Sequence, residues 1–156
     1  WREYLRAAAY LHECGLYSGR HGFHKHSAYF LHHAPLPGFT ERETHIIALI
    51  VRFHRKRLPC NEDEFFKDLT SEMQHAVRIC ASFLRLATSL DRTRMGKISE
   101  LKIHNVGSNK VNLNIVPRTA YDMEFELYDF MKEKKVLEDL FFVTFEVSVS
   151  GKLLAG

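Results

Sequence analysis

Residues 40–57 read TERETHIIALIVRFHRKR, and this stretch decides the fold of the first part of the chain. Thr40 is followed three residues later by Glu43, which is the pattern of a capping box at the start of a helix. The apolar run 46–53 follows directly. The stretch therefore predicts a helix over about 41–55, and the basic residues together with Pro59 end it.

Helical patterns lie on both sides of this stretch. Apolar residues recur at helical spacing over 1–12, where Gly15 is the predicted stop, and again over 24–33. The Gly-, Ser- and His-rich residues 15–23 predict a loop. Ser71, with a glutamine three residues on, opens a long helix to about residue 90, whose predicted core stripe is Met73, Val77, Cys80, Phe83/Leu84, Ala87 and Leu90.

The hydrophobic period changes after Gly96. Apolar and polar residues alternate over 101–105 and 111–115, and the turn residues 107–109 between them predict a hairpin. Further on, the sequence predicts an acidic amphipathic helix and then a last strand; these cover 119–140 and 141–149.

The predicted fold is therefore mainly α. A helical domain over 1–96 is followed by a small α+β subdomain over 97–156 with the order β-β-α-β. The chain begins at Trp1 inside a helical pattern, so we expect it to be a fragment of a longer protein.

Composition bounds the class of protein. The chain has 156 residues, 46% hydrophobic and 26% charged, which suits one ordinary globular domain with a small appendage. No stretch approaches the roughly 18 apolar residues of a transmembrane helix, so no membrane partner is expected. The three cysteines form no metal-binding spacing, and we interpret them as reduced core thiols of a cytoplasmic protein.

Charge is unevenly distributed along the chain. The net charge is +3, made up of +5 over residues 1–97 and −2 over the rest, and nine of the ten histidines lie in the first part. A basic, histidine-dense segment favours anionic partners such as phosphates. The excess is too small to indicate nucleic acid, so we predict no specific nucleic-acid partner.

His12 and Glu13 stand at the end of the first predicted helix. With His26, His54 and Asp91 they supply the nitrogen and oxygen ligands of a metal site. Neighbouring helical residues point about 100° apart, so both reach one ion only if the helix end faces the pocket. The alternative is a helix end with a hydrogen-bonded histidine.

Residues 21–27 read HGFHKHS, and the residues 52–57 read RFHRKR. Glycine permits a close backbone approach, and a helix that begins near His24 would present N–H groups to an anion. Arg52, Arg55 and Lys56 lie on one helical face, where an anion would relieve their repulsion. The alternatives are a solvated loop and cations that complement a helix C-terminus.

A family resemblance follows from the order and spacing of several segments. The chain resembles the C-terminal region of the exopolyphosphatase/guanosine pentaphosphatase (Ppx/GppA) family over residues 4–95, and over 97–156 only in layout. The segments that carry the resemblance are 11–13 (LHE), 21–29 (HGFHKHSAY), 36–39 (LPGF), 51–56 (VRFHRK), 84–87 (LRLA) and 90–92 (LDR).

The resemblance implies an HD-type helical domain without catalytic residues of its own. It implies that an N-terminal actin-like region, with Mg²⁺, hydrolyses the phosphoanhydride bond, and that this region binds the substrate and supports a homodimer. Polyphosphate or guanosine pentaphosphate is the expected ligand, and the fragment alone is expected to be inactive. The residues predicted to bind the ligand are His21, His24, Lys25, His26, Arg52, His54, Arg55, Lys56 and Arg92.

The sequence departs from the HD pattern at the metal ligands. Glu13 stands where the paired Asp is expected, and the upstream His would precede Trp1. We therefore predict no bound metal in this fragment. The alternative function is an autonomous HD-type metal-dependent phosphohydrolase that uses His12, Glu13, His26, His54 and Asp91.

Overall fold

The computed structural model describes residues 1–106, 109–118 and 123–154, which pack as two compact units, Trp1–Arg85 and Leu86–Gly156. The predicted fold class is confirmed: a helical part is followed by a small α+β part. Whether 1–96 and 97–156 are its domains stays a prediction. The elements are α1 (Arg2–Leu11), a 3₁₀ helix (Cys14–Ser18), α2 (Phe23–His33), α3 (Glu41–Phe53), α4 (Ser71–Leu90), β1 (Ile98–Val106), β2 (Lys110–Pro117), α5 (Glu124–Phe141), β3 (Thr144–Val149) and β4 (Lys152–Leu153).

Helix α3 supplies much of the core of the first unit. Its capping box is formed: Glu43 N–H donates to Thr40 Oγ1 at 3.3 Å, and Thr40 N–H donates to Glu43 Oε2 at 2.8 Å. The helix ends at Phe53, earlier than the predicted 55, because His54 is its C-cap. Its buried apolar residues pack with α1, α2 and α4, through Ala8, Leu31, Ile46, Ile47, Ile50, Val51, Val77, Cys80 and Leu84.

The chain between α1 and α2 differs from the prediction. Helix α1 ends at Leu11 and not near Gly15, and Cys14–Ser18 form a 3₁₀ helix within the expected loop. Ser27 explains the early turn, because its hydroxyl accepts from Gly15 N–H at 2.8 Å and donates to His12 O at 2.8 Å. A Cβ on Gly15 would lie 2.3 Å from the carbonyl oxygen of Phe23, so only glycine fits there.

Helix α4 begins at Ser71 as predicted, but Thr70 makes the cap contact, since its Oγ1 accepts from Met73 N–H at 3.3 Å. The predicted core stripe is only partly right, because Phe83 and Ala87 are exposed. The thiol prediction is also only partly right. All three cysteines are free, but Cys80 is buried whereas Cys14 and Cys60 are exposed.

The second unit is a four-stranded sheet in the order β1-β2-β3-β4, with α5 in the crossover between two parallel strands, β2 and β3. The predicted hairpin is confirmed as an antiparallel β1-β2 pair, and residues 107–108 of its turn lie outside the described residues. So do residues 119–122 of the predicted helix. A short β4 was not predicted, and the last long strand starts at Thr144, since α5 continues to Phe141.

The core of this unit is formed by one face of the sheet with α5 and the end of α4. Its buried members are Leu90, Leu113, Ile115, Met123, Phe130 and Val147. Among the described residues, no helix combines the length and the apolar character that a membrane crossing requires.

Candidate anion-binding site

Three imidazole rings meet inside the first unit. The ring of His54 lies edge to face with those of His12 and His24, at centroid distances of 5.3 and 6.3 Å. His54 Nδ1 donates to Val51 O at 2.6 Å, and the residue is 1% exposed. Burial lowers the pKa of His54 from 6.5 to about 3, so this ring is neutral at pH 7.

His24 is the unusual member of the three. It is 2% exposed, and within the described residues its buried Nε2 has no hydrogen-bond partner. Burial lowers its pKa to about 4, and the positive charges of four side chains lower it further: Arg52, Arg55, Lys56 and Lys25. Buried polar atoms are nearly always paired in folded proteins, so this nitrogen requires an explanation.

These cations come from the segments that the sequence predicted to meet. The Arg55 guanidinium lies 4.9 Å from the centroid of the Phe23 ring at the start of α2, a cation–π contact that fixes it next to His24. Lys56 adopts a left-handed backbone with φ of 69°, which is uncommon outside glycine. Arg57 is otherwise engaged, because it donates to Asp63 at 2.7 Å.

The other predicted ligand-binding residues are placed less centrally. Lys25 is exposed in the first turn of α2, and Gly22 takes a left-handed φ of 67° immediately before that helix. His21 and His26 are exposed, and their part in binding stays a prediction. Arg92 belongs to the second unit, where its Nε lies 2.9 Å from Asp129 Oδ2 in an ordinary surface ion pair; its part in binding also stays a prediction.

The predicted metal ligands do not form a site. His12 Nδ1 donates to Ala9 O at 2.7 Å, its Nε2 lies 3.5 Å from Glu13 Oε1, and Asp91 in the second unit accepts from Gly96 N–H. Across 1–106, 109–118 and 123–154, no three His, Cys, Asp or Glu side chains are arranged to hold a metal ion. His12 therefore matches the alternative of a hydrogen-bonded helix end, and the set His12, Glu13, His26, His54 and Asp91 is not assembled.

Two residues of the site had no signal in the sequence. Arg85 is buried in α4 and donates from Nε to His54 O at 3.2 Å, which ties the end of α3 to α4. Phe23 supplies the ring beneath Arg55. The sequence pattern places Arg85 among core residues of a helix, and a contact across 31 residues leaves no local trace.

Comparisons with known proteins agree on one family. Residues 1–135 match the family model described as Ppx/GppA phosphatase, domain III, so the match extends well beyond residue 95. A protein of Vibrio cholerae serotype O1 named guanosine-5'-triphosphate,3'-diphosphate pyrophosphatase is 32% identical over 129 residues, which cover 78% of this chain and 25% of that protein.

A protein of the same name from Pseudoalteromonas atlantica is 38% identical over 90 residues, which cover 58% of this chain and 17% of its own length. A third, from Pseudoalteromonas translucida, is 43% identical over 54 residues, 35% of this chain and 11% of its own length. The chain thus spans about a quarter or less of these curated relatives.

Proposed function

Because the chain belongs to the Ppx/GppA phosphatase family through its domain III, we propose that it binds the phosphate polyanion on which the whole protein acts. The observation that carries the proposal is His24. A buried imidazole with an unpartnered Nε2 is held among four cationic side chains, and no carboxylate contributes to its pKa shift. A bound phosphate group would supply the hydrogen-bond partner and the negative charge that this cluster lacks.

Each residue then has a defined part. The guanidinium groups of Arg52 and Arg55 donate paired N–H groups to phosphate oxygens, and the ammonium groups of Lys25 and Lys56 act as point charges. Four cations close together repel one another, and an anion reverses that cost. His24 takes up a proton as the anion binds, since the bound charge favours imidazolium, whose Nε2 then donates.

Catalysis belongs elsewhere in this proposal. An N-terminal actin-like region, with Mg²⁺, hydrolyses the phosphoanhydride bond, and the present chain holds the substrate and contributes to a homodimer of a cytoplasmic enzyme. The chain by itself is therefore inactive on polyphosphate and on guanosine pentaphosphate. The printed name of the relatives supports a guanosine polyphosphate as the ligand.

Calorimetric titration of the chain with guanosine pentaphosphate, and separately with inorganic polyphosphate, tests the proposal. Arg55→Ala and Lys56→Ala should each weaken binding by about fivefold to tenfold, because each removes one charge-assisted contact worth about 1 kcal/mol. Each should also reduce the slope of log affinity against log salt by about one unit. The matched control is Lys135→Ala, which removes an exposed charge from α5.

The outcomes separate the ligand from the site. A control that weakens binding as much as Arg55→Ala would show that the chain binds anions by its overall charge. Tighter binding of guanosine pentaphosphate than of an inorganic chain of equal charge would assign the nucleotide, and the reverse order would assign polyphosphate. Failure of both to bind would contradict the proposal.

A further inference from the structure

Strand β1 forms one edge of the sheet in the second unit. Within the described residues it pairs with β2 alone, and its other side carries backbone groups that no strand covers. Leu101 and Ile103 pair with the buried Ile115 and Leu113, yet they are themselves 45% and 62% exposed. The apolar face that is core at β2 is therefore open at β1.

We propose that β1 pairs antiparallel with β1 of a second copy of this chain, centred on Leu101, and joins two four-stranded sheets into one. The proposal deepens the homodimer stated above by naming its contact surface, and it does not depend on the anion site. Edge-to-edge pairing satisfies backbone donors and acceptors on both strands and covers the apolar side chains next to them.

Charge on the opposite face of β1 selects this register. Glu100 and Lys102 lie two residues apart, and their charged atoms are 3.1 Å apart within the chain. When the pairing is centred on Leu101, Glu100 stands opposite the partner's Lys102, and Lys102 stands opposite the partner's Glu100. Centring on residue 100 would oppose two carboxylates, and centring on 102 would oppose two ammonium groups.

The strand also limits how far the pairing extends. Register shifts against β2 fall between Ile98 and Glu100 and between Ile103 and Asn105, so the regular stretch is short. Charges on an edge strand commonly prevent pairing with other chains. Here they are of opposite sign, so they oppose the wrong registers and favour a single one. The expected contact is a specific pairing with a second copy.

Sedimentation velocity of the chain over a range of concentrations tests this pairing. The unaltered chain should form dimers, and Glu100→Lys or Lys102→Glu alone should raise the dimer dissociation constant at least about tenfold, because each opposes like charges twice. An equimolar mixture of the two variants should dimerise again, since every opposed pair is then complementary. The double reversal Glu100→Lys/Lys102→Glu should also dimerise.

Lys152→Glu on β4, at the other edge of the sheet, is the matched control and should leave the dimer unchanged. A chain that stays monomeric, or a dimer that is indifferent to the reversals and to mixing, would overturn the pairing. Anion titration of the same samples keeps the two proposals apart. A monomer that binds the polyanion contradicts only the pairing, and a dimer that fails to bind it contradicts only the anion site.

Discussion

The two units treat buried ionisable side chains differently. In the second unit Glu126 is 1% exposed, and its carboxylate accepts from Lys97 Nζ at 3.2 Å and from Thr93 N–H at 3.1 Å. In the first unit His24 is 2% exposed, and its Nε2 has no partner among the described residues. One buried group completes a structural network, and the other is left open.

The difference separates a role in stability from a role in binding. An unpaired buried polar atom costs about 1–3 kcal/mol, which a fold seldom retains without a compensating function. A paired buried carboxylate carries no such implication, since removing its partner only destabilises the fold. The predictions below test this division, from the largest expected effect to the smallest.

Replacing the paired carboxylate should produce the largest loss. Glu126→Ala should lower the free energy of unfolding by about 3–5 kcal/mol, because it leaves the Lys97 ammonium buried without its counter-charge. Urea denaturation measures the loss. Asp129→Ala is the control, since its ion pair with Arg92 is exposed and should be worth about 0–1 kcal/mol. Equal losses from the two variants would remove one side of the comparison.

The scaffold beneath the candidate site should be sensitive to a single methyl group. Gly15→Ala should destabilise the chain by about 1–3 kcal/mol, because the new Cβ would lie 2.3 Å from backbone atoms of Phe23 and Ser27. Ser18→Ala changes an exposed residue of the same 3₁₀ helix and should alter stability by less than about 0.5 kcal/mol. If Gly15→Ala is as mild as this control in urea denaturation, the close packing is not essential.

Acid should act on the first unit through its buried imidazoles. The pKa values of His24 and His32 are lowered to about 4 and that of His54 to about 3, chiefly by burial. The unfolded chain, with ordinary values near 6.5, binds more protons below that pH. Stability is therefore complete above pH 6.5 and falls as the pH drops towards 4.

The urea midpoint measured between pH 7.5 and 4.5 should follow this decline. His24→Gln should make the decline shallower, because it removes one of the groups that must stay neutral. His75→Gln, at an exposed position, should keep the slope of the unaltered chain. Identical slopes for all three proteins would show that burial of His24 does not govern the response to acid.

Local patterns were enough to predict a large part of the molecule. The capping box of Thr40 and Glu43 set the start of α3, and basic residues clustered in two short segments were predicted to share an anion. The structure brings Arg52, Arg55, Lys56 and Lys25 close enough to act on His24. These features depend on residues that are near in sequence, where spacing is informative.

The remainder depends on contacts that spacing does not encode. The burial of His24, the stacking of Arg55 on Phe23 and the bond from Arg85 to His54 join separate helices. The metal set was expected from residue types alone, and its members lie in different units or are engaged with backbone groups. The two-residue strand β4 is too short to show a period.

Nitrogen-15 NMR of the imidazole rings tests the central claim most directly. The chain is titrated from pH 7.5 to 5 with and without saturating inorganic tripolyphosphate. The bound anion should raise the pKa of His24 from about 4 by at least about one unit, because negative charge beside the ring favours imidazolium, while the His75 resonances stay as they were. An anion that binds while the pKa of His24 stays unchanged would contradict the account.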